Sequence, residues 1–315
     1  MVCASTRLTA CACHNRCRYA VPIFDGRVQW PGVRRINLGG KALTNVLKEL
    51  VSYRSMNVMD EAYLMELVKD RLCYVSQQPD KDMDTAHGPR DSNTVAREFV
   101  LPDGVTILRG FVRGEHDDPK RELRAAAAAA AHAAGTAAAP SAPSRRPGQR
   151  EQEEEDDAAP VTPMDLVTAG EQVLTLNLER FMVPEALFHP SVIGSPQAGL
   201  AEMALAAVSA CGSDIRGLLW GNVLVVGGGA NCPGLVERLN AELRPLVPDT
   251  CTLHVSALPQ PERSAWRGAS VLGADVHAFS TAALTRHEYV AGGGAARDGY
   301  VHHGTIAKAP PGRIW

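Results

Sequence analysis

NVLVVGGGANCPGLVERLNAEL, residues 222–243, decides the fold class. The unbroken apolar run reads as a buried strand, the three glycines as a turn, and LVERLNAEL as a helix with Pro233 in its first turn. Strand, glycine turn and helix in that order belong to an α/β protein. The glycines let a ligand or a neighbouring backbone come close, and a helix N-terminus offers unpaired N–H groups at the positive end of its dipole. No GK[ST] follows, so this is not a P-loop, and the full GxGxxG spacing is absent. A glycine turn of this kind can also be only a turn.

A second strand–glycine–helix unit lies upstream. VRRINL (33–38) reads as a strand, Gly39 and Gly40 break it, and Leu43, Val46, Leu47, Leu50 and Val51 then recur on one helical face. Before it, RYAVPIF (18–24) reads as a strand and Asp25-Gly26 as a turn. After it, Asp60 is placed to cap a helix with Leu64, Leu67, Val68, Leu72 and Val75 inward. REFVL, Asp103-Gly104 and VTILRGF carry a hairpin signal. Beyond residue 170 come a strand at 173–178, a helix begun by Pro184-Glu185, and an amphipathic helix AGLAEMALAAVSAC (198–211). A further strand, CTLHVSAL (251–258), precedes a helix, SAWRGASVLGADV (264–276), with Trp266 in the core at its start.

Composition sets the organisation around these elements. The chain has 315 residues, 45% hydrophobic and 21% charged, with a formal net charge of -3. That suits a globular protein and leaves no overall basic footprint for nucleic acid. No run is long and apolar enough for a membrane helix. Residues 1–18, with Cys3, Cys11, Cys13 and Cys17 beside His14, lack the paired spacing of a zinc site and read as a disordered leader. Residues 115–170 contain seven consecutive alanines, a Pro/Ser/Arg stretch and EQEEEDDAAP. Such side chains offset little of the ~1–2 kcal/mol per residue that ordering a backbone costs, so the segment reads as a disordered insertion. The expected body is therefore 19–114 and 171–292, with 293–315 a flexible tail.

The order and wording of the pieces resemble the actin family. AVPIFDG (20–26), RRINLGGKALTNVLKEL (34–50), VKDRLCYV (68–75), ERFMVPEALFHPSVIG (179–194), the glycine-turn unit at 222–243 and SAWRGASVLG (264–273) follow the family's sequence of motifs. INLGGKALTNVLKELVSYR, VMDEAYLMELVKDRLCYVSQ and GEQVLTLNLERFMVPE are closest to a nuclear class of actin-related proteins. The resemblance implies a partial actin-like, sugar-kinase-like α/β fold: a mixed sheet flanked by helices with a smaller, mostly helical inserted subdomain. In the family two such lobes enclose ATP and a divalent metal. It also implies a place in the nucleus, with the cytoplasm as a second location. Members of the class are structural subunits of SWR-type chromatin-remodelling complexes, which exchange a variant histone into nucleosomes. Their partners include a HIT-type zinc-finger protein and the remodelling ATPase; chromatin contact is indirect and no membrane is involved.

Carried over residue by residue, Gly40 matches the glycine that approaches the nucleotide sugar. Lys69 and Asp70 match a Lys-Glu pair beside the adenosine, with a shorter acid here. Gly227 and Gly228 match the adenosine-loop glycines, and Asn231 stands where actin has a methionine against the base. Glu262 replaces an adenine-side lysine and reverses its charge. The second phosphate loop falls at residues 12–19, where ACHNRCRY replaces the family's Asp-x-Gly-Asp-Gly. The first phosphate loop, the water-orienting glutamine and the metal-side aspartate match nothing in the chain. Phosphoryl transfer needs those parts. The expectation is no catalytic and no metal residues, ATP as the one conceivable cofactor in an incomplete cleft, and a non-catalytic subunit that docks to other proteins. The alternative is an ATP-binding or polymerising actin-like cytoskeletal protein.

Overall fold

Asp25 and Gly26 take φ of 49° and 69°, the left-handed pair a two-residue hairpin turn requires. They join β2 (Arg18–Phe24) to β3 (Arg27–Val28), and the register Ile23↔Val28 and Phe24↔Arg27 follows from that turn. The computed structural model describes residues 7–11, 17–89, 92–103, 107–116, 118–122, 125, 171–283 and 286–287. These fall into two units, residues 1–95 with 178–315, and residues 96–177.

The first unit is built on a mixed sheet in the order β3-β2-β1-β8-β9, with β4 (Arg34–Ile36) also paired to β2. β1 (Arg7–Cys11) runs antiparallel to β2 and parallel to β8 (Val223–Val226), and β9 (Val255–Ala257) continues the parallel set. This corrects the leader expected at 1–18: its segment 7–11 is an inner strand of the sheet, with neighbours on both sides. The five residues RLTAC carry too short a pattern to read as a strand alone, and the pairing partners on either side make them one. The unalternating apolar run at Val223–Val226 is explained by its place between β1 and β9, buried through its first three residues.

The rest of this unit is helical, and only some of its helices lie against the sheet. α1 (Gly40–Arg54) buries Leu43, Thr44, Leu47 and Val51, whereas Leu50 lies exposed, so the inward face is rotated toward Thr44. α2 (Ala62–Leu72) follows Glu61, whose side chain makes no capping bond, so Asp60 lies one residue short of the expected cap position; the helix buries Met65, Val68 and Leu72. α3 (Pro79–His87), which the sequence reading passes over, starts with a proline and two acids in its first turn and supplies Ala86 to a cluster with Val95 and Phe181. α4 (Glu179–Glu185) corrects another expectation, because Pro184 lies inside the helix and does not begin it. Proline has no N–H to offer the carbonyl of Arg180 four residues back. That carbonyl instead accepts the backbone N–H of Tyr74 at 3.0 Å, which satisfies it.

α5 (Leu200–Ser209) packs on β2 and β4 through Leu200, Ala201, Met203, Ala204, Ala207 and Val208; the alanines let it lie close to the strands. α6 (Ser213–Trp220) leads into β8. α7 (Leu235–Leu243) starts after Gly234, so Pro233 precedes the helix and does not sit in its first turn. α8 (Ser264–Ala274) and α9 (Val276–Ala282) close the described chain. Trp266 is 68% exposed and not core, and α8 has no buried residue at all.

The second unit holds a three-stranded sheet in the order β6-β5-β7, from β5 (Arg97–Val100), β6 (Phe111–Val112) and β7 (Val173–Leu176). The hairpin signal is fulfilled later than expected, since the returning strand begins at Phe111. β5 pairs with β7 across Arg97↔Leu176, so the two ends of the low-complexity segment leave one small sheet. Glu171 ties them, bonded to Arg113 Nη2 at 3.2 Å and Lys120 Nζ at 3.1 Å. Residues 126–170, most of the expected insertion, and the tail 293–315 lie outside the described residues.

Candidate functional site

Ligands of open α/β sheets gather beyond the carboxyl ends of the parallel strands. Here those ends are Cys11, Val226 and Ala257, in adjacent strands. The turn after β8 starts at Gly227, with φ 94° and ψ 166°, a conformation essentially reserved for glycine. Its N–H donates to Pro261 O at 2.9 Å, which draws the segment after β9 against the glycine turn. Gly228 follows in a single 3-10 turn (Gly228–Asn231), and a side chain there would meet nothing within 4 Å. Its bareness is not required by the chain's own packing.

The other part of the site comes from α1 and α2. Gly40 opens α1, and Thr44, one turn on, donates to its carbonyl at 3.0 Å. Lys69, in the last turn of α2, donates from Nζ to Thr44 Oγ1 at 3.1 Å and stands 3.4 Å from Asp70 Oδ1. The lysine is 13% exposed and the aspartate 65%, so the acid faces solvent and the ammonium is tucked against α1. The chain leaving α2 is then stitched to the glycine turn. Val75 N–H donates to Pro233 O at 2.8 Å, and Gln77 Nε2 donates to Gly234 O at 2.8 Å. Gly234 is held at φ 81° with Val75 O 2.3 Å from where a Cβ would stand, so this close approach demands glycine.

One continuous wall results. Gly40, Lys69 and Asp70 lie on its helical side; Gly227, Gly228 and Asn231 lie on its sheet side; Cys232 stands between, within electrostatic reach of Lys69, Asp70 and Arg18. Burial pushes the Cys232 thiol up to about 11 and the Cys73 thiol up to about 12, so both are neutral at pH 7 and poor nucleophiles. Asn231 Nδ2 donates to Glu262 Oε2 at 3.0 Å. That bond, more than any other cause, lowers the pKa of the Glu262 carboxyl below its ordinary value and keeps it anionic.

These residues can be tested against a nucleotide. Lys69 and Asp70 suit the hydroxyls of a sugar. On the sheet side Asn231 is spent on Glu262, a fully exposed carboxylate, so the amide is not free for a base. Arg18, the first residue of β2, is 3% exposed and reaches this wall, donating from Nε to Leu38 O at 3.1 Å. In β2 the residues Arg18, Ala20 and Pro22 alternate inward. Because Tyr19, Val21 and Ile23 are also apolar, the alternation alone did not say which face was in.

The actin family model matches residues 15–303. Actin-related protein 6 of Arabidopsis thaliana is 36% identical over 278 residues, covering 86% of this chain and 58% of that protein. The Oryza sativa subsp. japonica protein of the same name is 36% identical over 271 residues (86% and 59%), and the Drosophila melanogaster one is 34% identical over 271 residues (86% and 56%). The chain thus spans less than two thirds of the length of these relatives. With its mixed sheet, its glycine turns and this match in hand, the chain belongs to the actin family.

Proposed function

We propose that the chain is a non-catalytic actin-related subunit of a nuclear chromatin-remodelling complex that exchanges a variant histone, acting by docking to other proteins. The observation that carries the non-catalytic part is that residues 12–19, ACHNRCRY, lack the Asp-x-Gly-Asp-Gly of the family's second phosphate loop. Phosphoryl transfer needs that loop to position the phosphates and the metal. The docking part draws support from the relatives named Actin-related protein 6 and from α8 and α9, where Trp266, Val271, Leu272, Val276 and Phe279 are all exposed. Exposed apolar side chains in such number are a usual property of surfaces that meet another protein. The partners proposed are the remodelling ATPase and a HIT-type zinc-finger subunit, with the nucleus as the place of assembly.

Affinity capture of the tagged chain from nuclear extract tests the assembly. Recovery of a remodelling ATPase and a zinc-finger subunit in stoichiometric amounts is expected. A chain recovered alone, or with cytoskeletal proteins and a nucleotide-dependent sedimentation, would favour the polymerising alternative.

A further inference from the structure

A cavity of about 440 Å³ opens between the chain leaving α2, the start of α3 and the residues just before α7. Tyr74, Val75 and Pro233 give it apolar surface, and Gln78, Lys81 and Asp82 bring polar groups to it. Its volume lies within the range of small-molecule sites, roughly 300–1,000 Å³. None of Gly40, Lys69, Asp70, Gly227, Gly228 and Asn231 lines it, so it is not the place a nucleotide would take.

The chain around this cavity is held by its own bonds. Tyr74 N–H donates to Arg180 O at 3.0 Å and Val75 N–H to Pro233 O at 2.8 Å, while Ser76 O accepts Arg238 Nη1 at 2.7 Å. The Arg180 guanidinium lies over the Tyr74 ring, 5.0 Å from its centroid, and fixes the plane of the aromatic. The Tyr74 hydroxyl in turn donates to Asp82 Oδ2 at 3.0 Å and so orients the carboxylate.

The charges at the cavity are left open. Asp82 Oδ1 has no partner among the described residues. Lys81, one residue away and on the same cavity, does not pair with Asp82, and its ammonium has no partner among the described residues either. The Gln78 side-chain amide is equally unspent. A simple anion would answer Lys81 and be repelled by Asp82, and a simple cation would do the reverse. A zwitterion with an apolar side chain answers both charges and covers the apolar surface as well.

We propose that this cavity binds a free α-amino acid with an apolar side chain. The ammonium bonds Asp82 Oδ1 and the Gln78 side-chain carbonyl, the carboxylate bonds Lys81 Nζ, and the side chain lies against Tyr74, Val75 and Pro233. The site is independent of the docking role proposed above and stands or falls without it.

Thermal melts of the full chain test this with L-leucine, leucinamide and N-acetyl-leucine at equal ionic strength, for wild type, Lys81→Gln and Asp82→Asn. Glycine at the same concentrations serves as the reference for the general effect of an excluded solute. Wild type should show a saturable rise in melting temperature with leucine beyond that reference. Leucinamide and N-acetyl-leucine, which stand for the first and last residues of a peptide, each lack one charge. Each should bind about tenfold or more weakly, the factor expected when a hydrogen bond to a charged group is lost. In Lys81→Gln, leucine and leucinamide should bind alike; in Asp82→Asn, leucine and N-acetyl-leucine should. Either blocked compound binding as well as leucine would overturn the proposal and point to a peptide end instead. So would a leucine response unchanged in Lys81→Gln, or no response in wild type to leucine, methionine or phenylalanine. Should Asp82→Asn fail to fold, the exposed Lys81→Gln variant decides the matter.

Discussion

Arg238 ties α7 to Ser76 and Glu185, and a double-mutant cycle on it has a definite expected result. The guanidinium is 7% exposed, lies 3.0 Å from Glu185 Oε1 through Nη2 and 3.3 Å from Oε2 through Nη1, and donates to Ser76 O at 2.7 Å. Nε reaches Glu242 at 2.8 Å, and Phe188 lies under the plane at 5.3 Å. Glu185 is 9% exposed and also meets His189 Nδ1 at 2.8 Å. Removing one partner of a buried pair strands the other and costs roughly 3–5 kcal/mol, whereas replacing both with apolar groups is often near neutral. Glu185→Leu and Arg238→Met should therefore each destabilise by about 3 kcal/mol in equilibrium urea unfolding. The double variant should lose only about 1–2 kcal/mol, chiefly for the Ser76 carbonyl left without its donor. The coupling is then about 4–5 kcal/mol, far above the ~0.5 kcal/mol within which independent sites add. Additivity within that margin would refute the buried pair as the reason these two residues stand together.

Three further outcomes follow from burial and backbone geometry. Phe181→Ala, at a site 1% exposed, should cost about 3–5 kcal/mol in urea unfolding, while Trp266→Ser should stay within about 0.5 kcal/mol in the isolated chain. Comparable losses from the two would overturn the exposed placement of α8. Gly234→Ala should destabilise by about 2–4 kcal/mol, because φ 81° and the Val75 carbonyl both oppose a Cβ; a neutral result would mean the α2 exit does not lie against this turn. Cys73 should resist iodoacetamide at pH 8 in the native protein and react when urea is added, read by mass spectrometry. Burial to 4% exposure holds its thiol near 12, and rapid native labelling would contradict that.

Much of the fold was legible where one physical signal dominated. β2 spans Arg18–Phe24 as its apolar run and the following Asp-Gly turn imply, and α1 starts at the second of two glycines. The strand–glycine–helix unit held because a continuous apolar run, three glycines and an amphipathic stretch agree with one another. Legibility failed where a local preference was overridden from a distance. Pro184 reads as a helix start until the Tyr74 N–H is seen to satisfy the carbonyl that proline leaves free. β1 reads as a leader because its five residues become a strand only when β2 and β8 flank them. Trp266 reads as core from residue type alone, and the aromatic is outside because nothing described packs over α8.

The site shows the same division more sharply. Gly227, Gly228, Lys69 and Asp70 could be named from their motifs, and the α2-exit bonds to Pro233 and Gly234 make one wall of motifs more than 150 residues apart, as the Gln77–Gly234 separation of 157 records. What sequence could not supply was the sign of the field along that wall. Glu262 looks like an isolated reversal until Asn231 is found bonded to it, a contact that stabilises the anion and spends the amide at once. Arg18 looks like a strand residue until its burial without an acid is seen. Glu262 is fully exposed, so the field it adds along the wall reaches only as far as salt allows. Glu262→Lys should therefore raise the melting-temperature response to ATP at low ionic strength, and ~1 M salt should remove the difference from wild type. A difference that survives at that ionic strength would show that position 262 acts through contact and not through its charge.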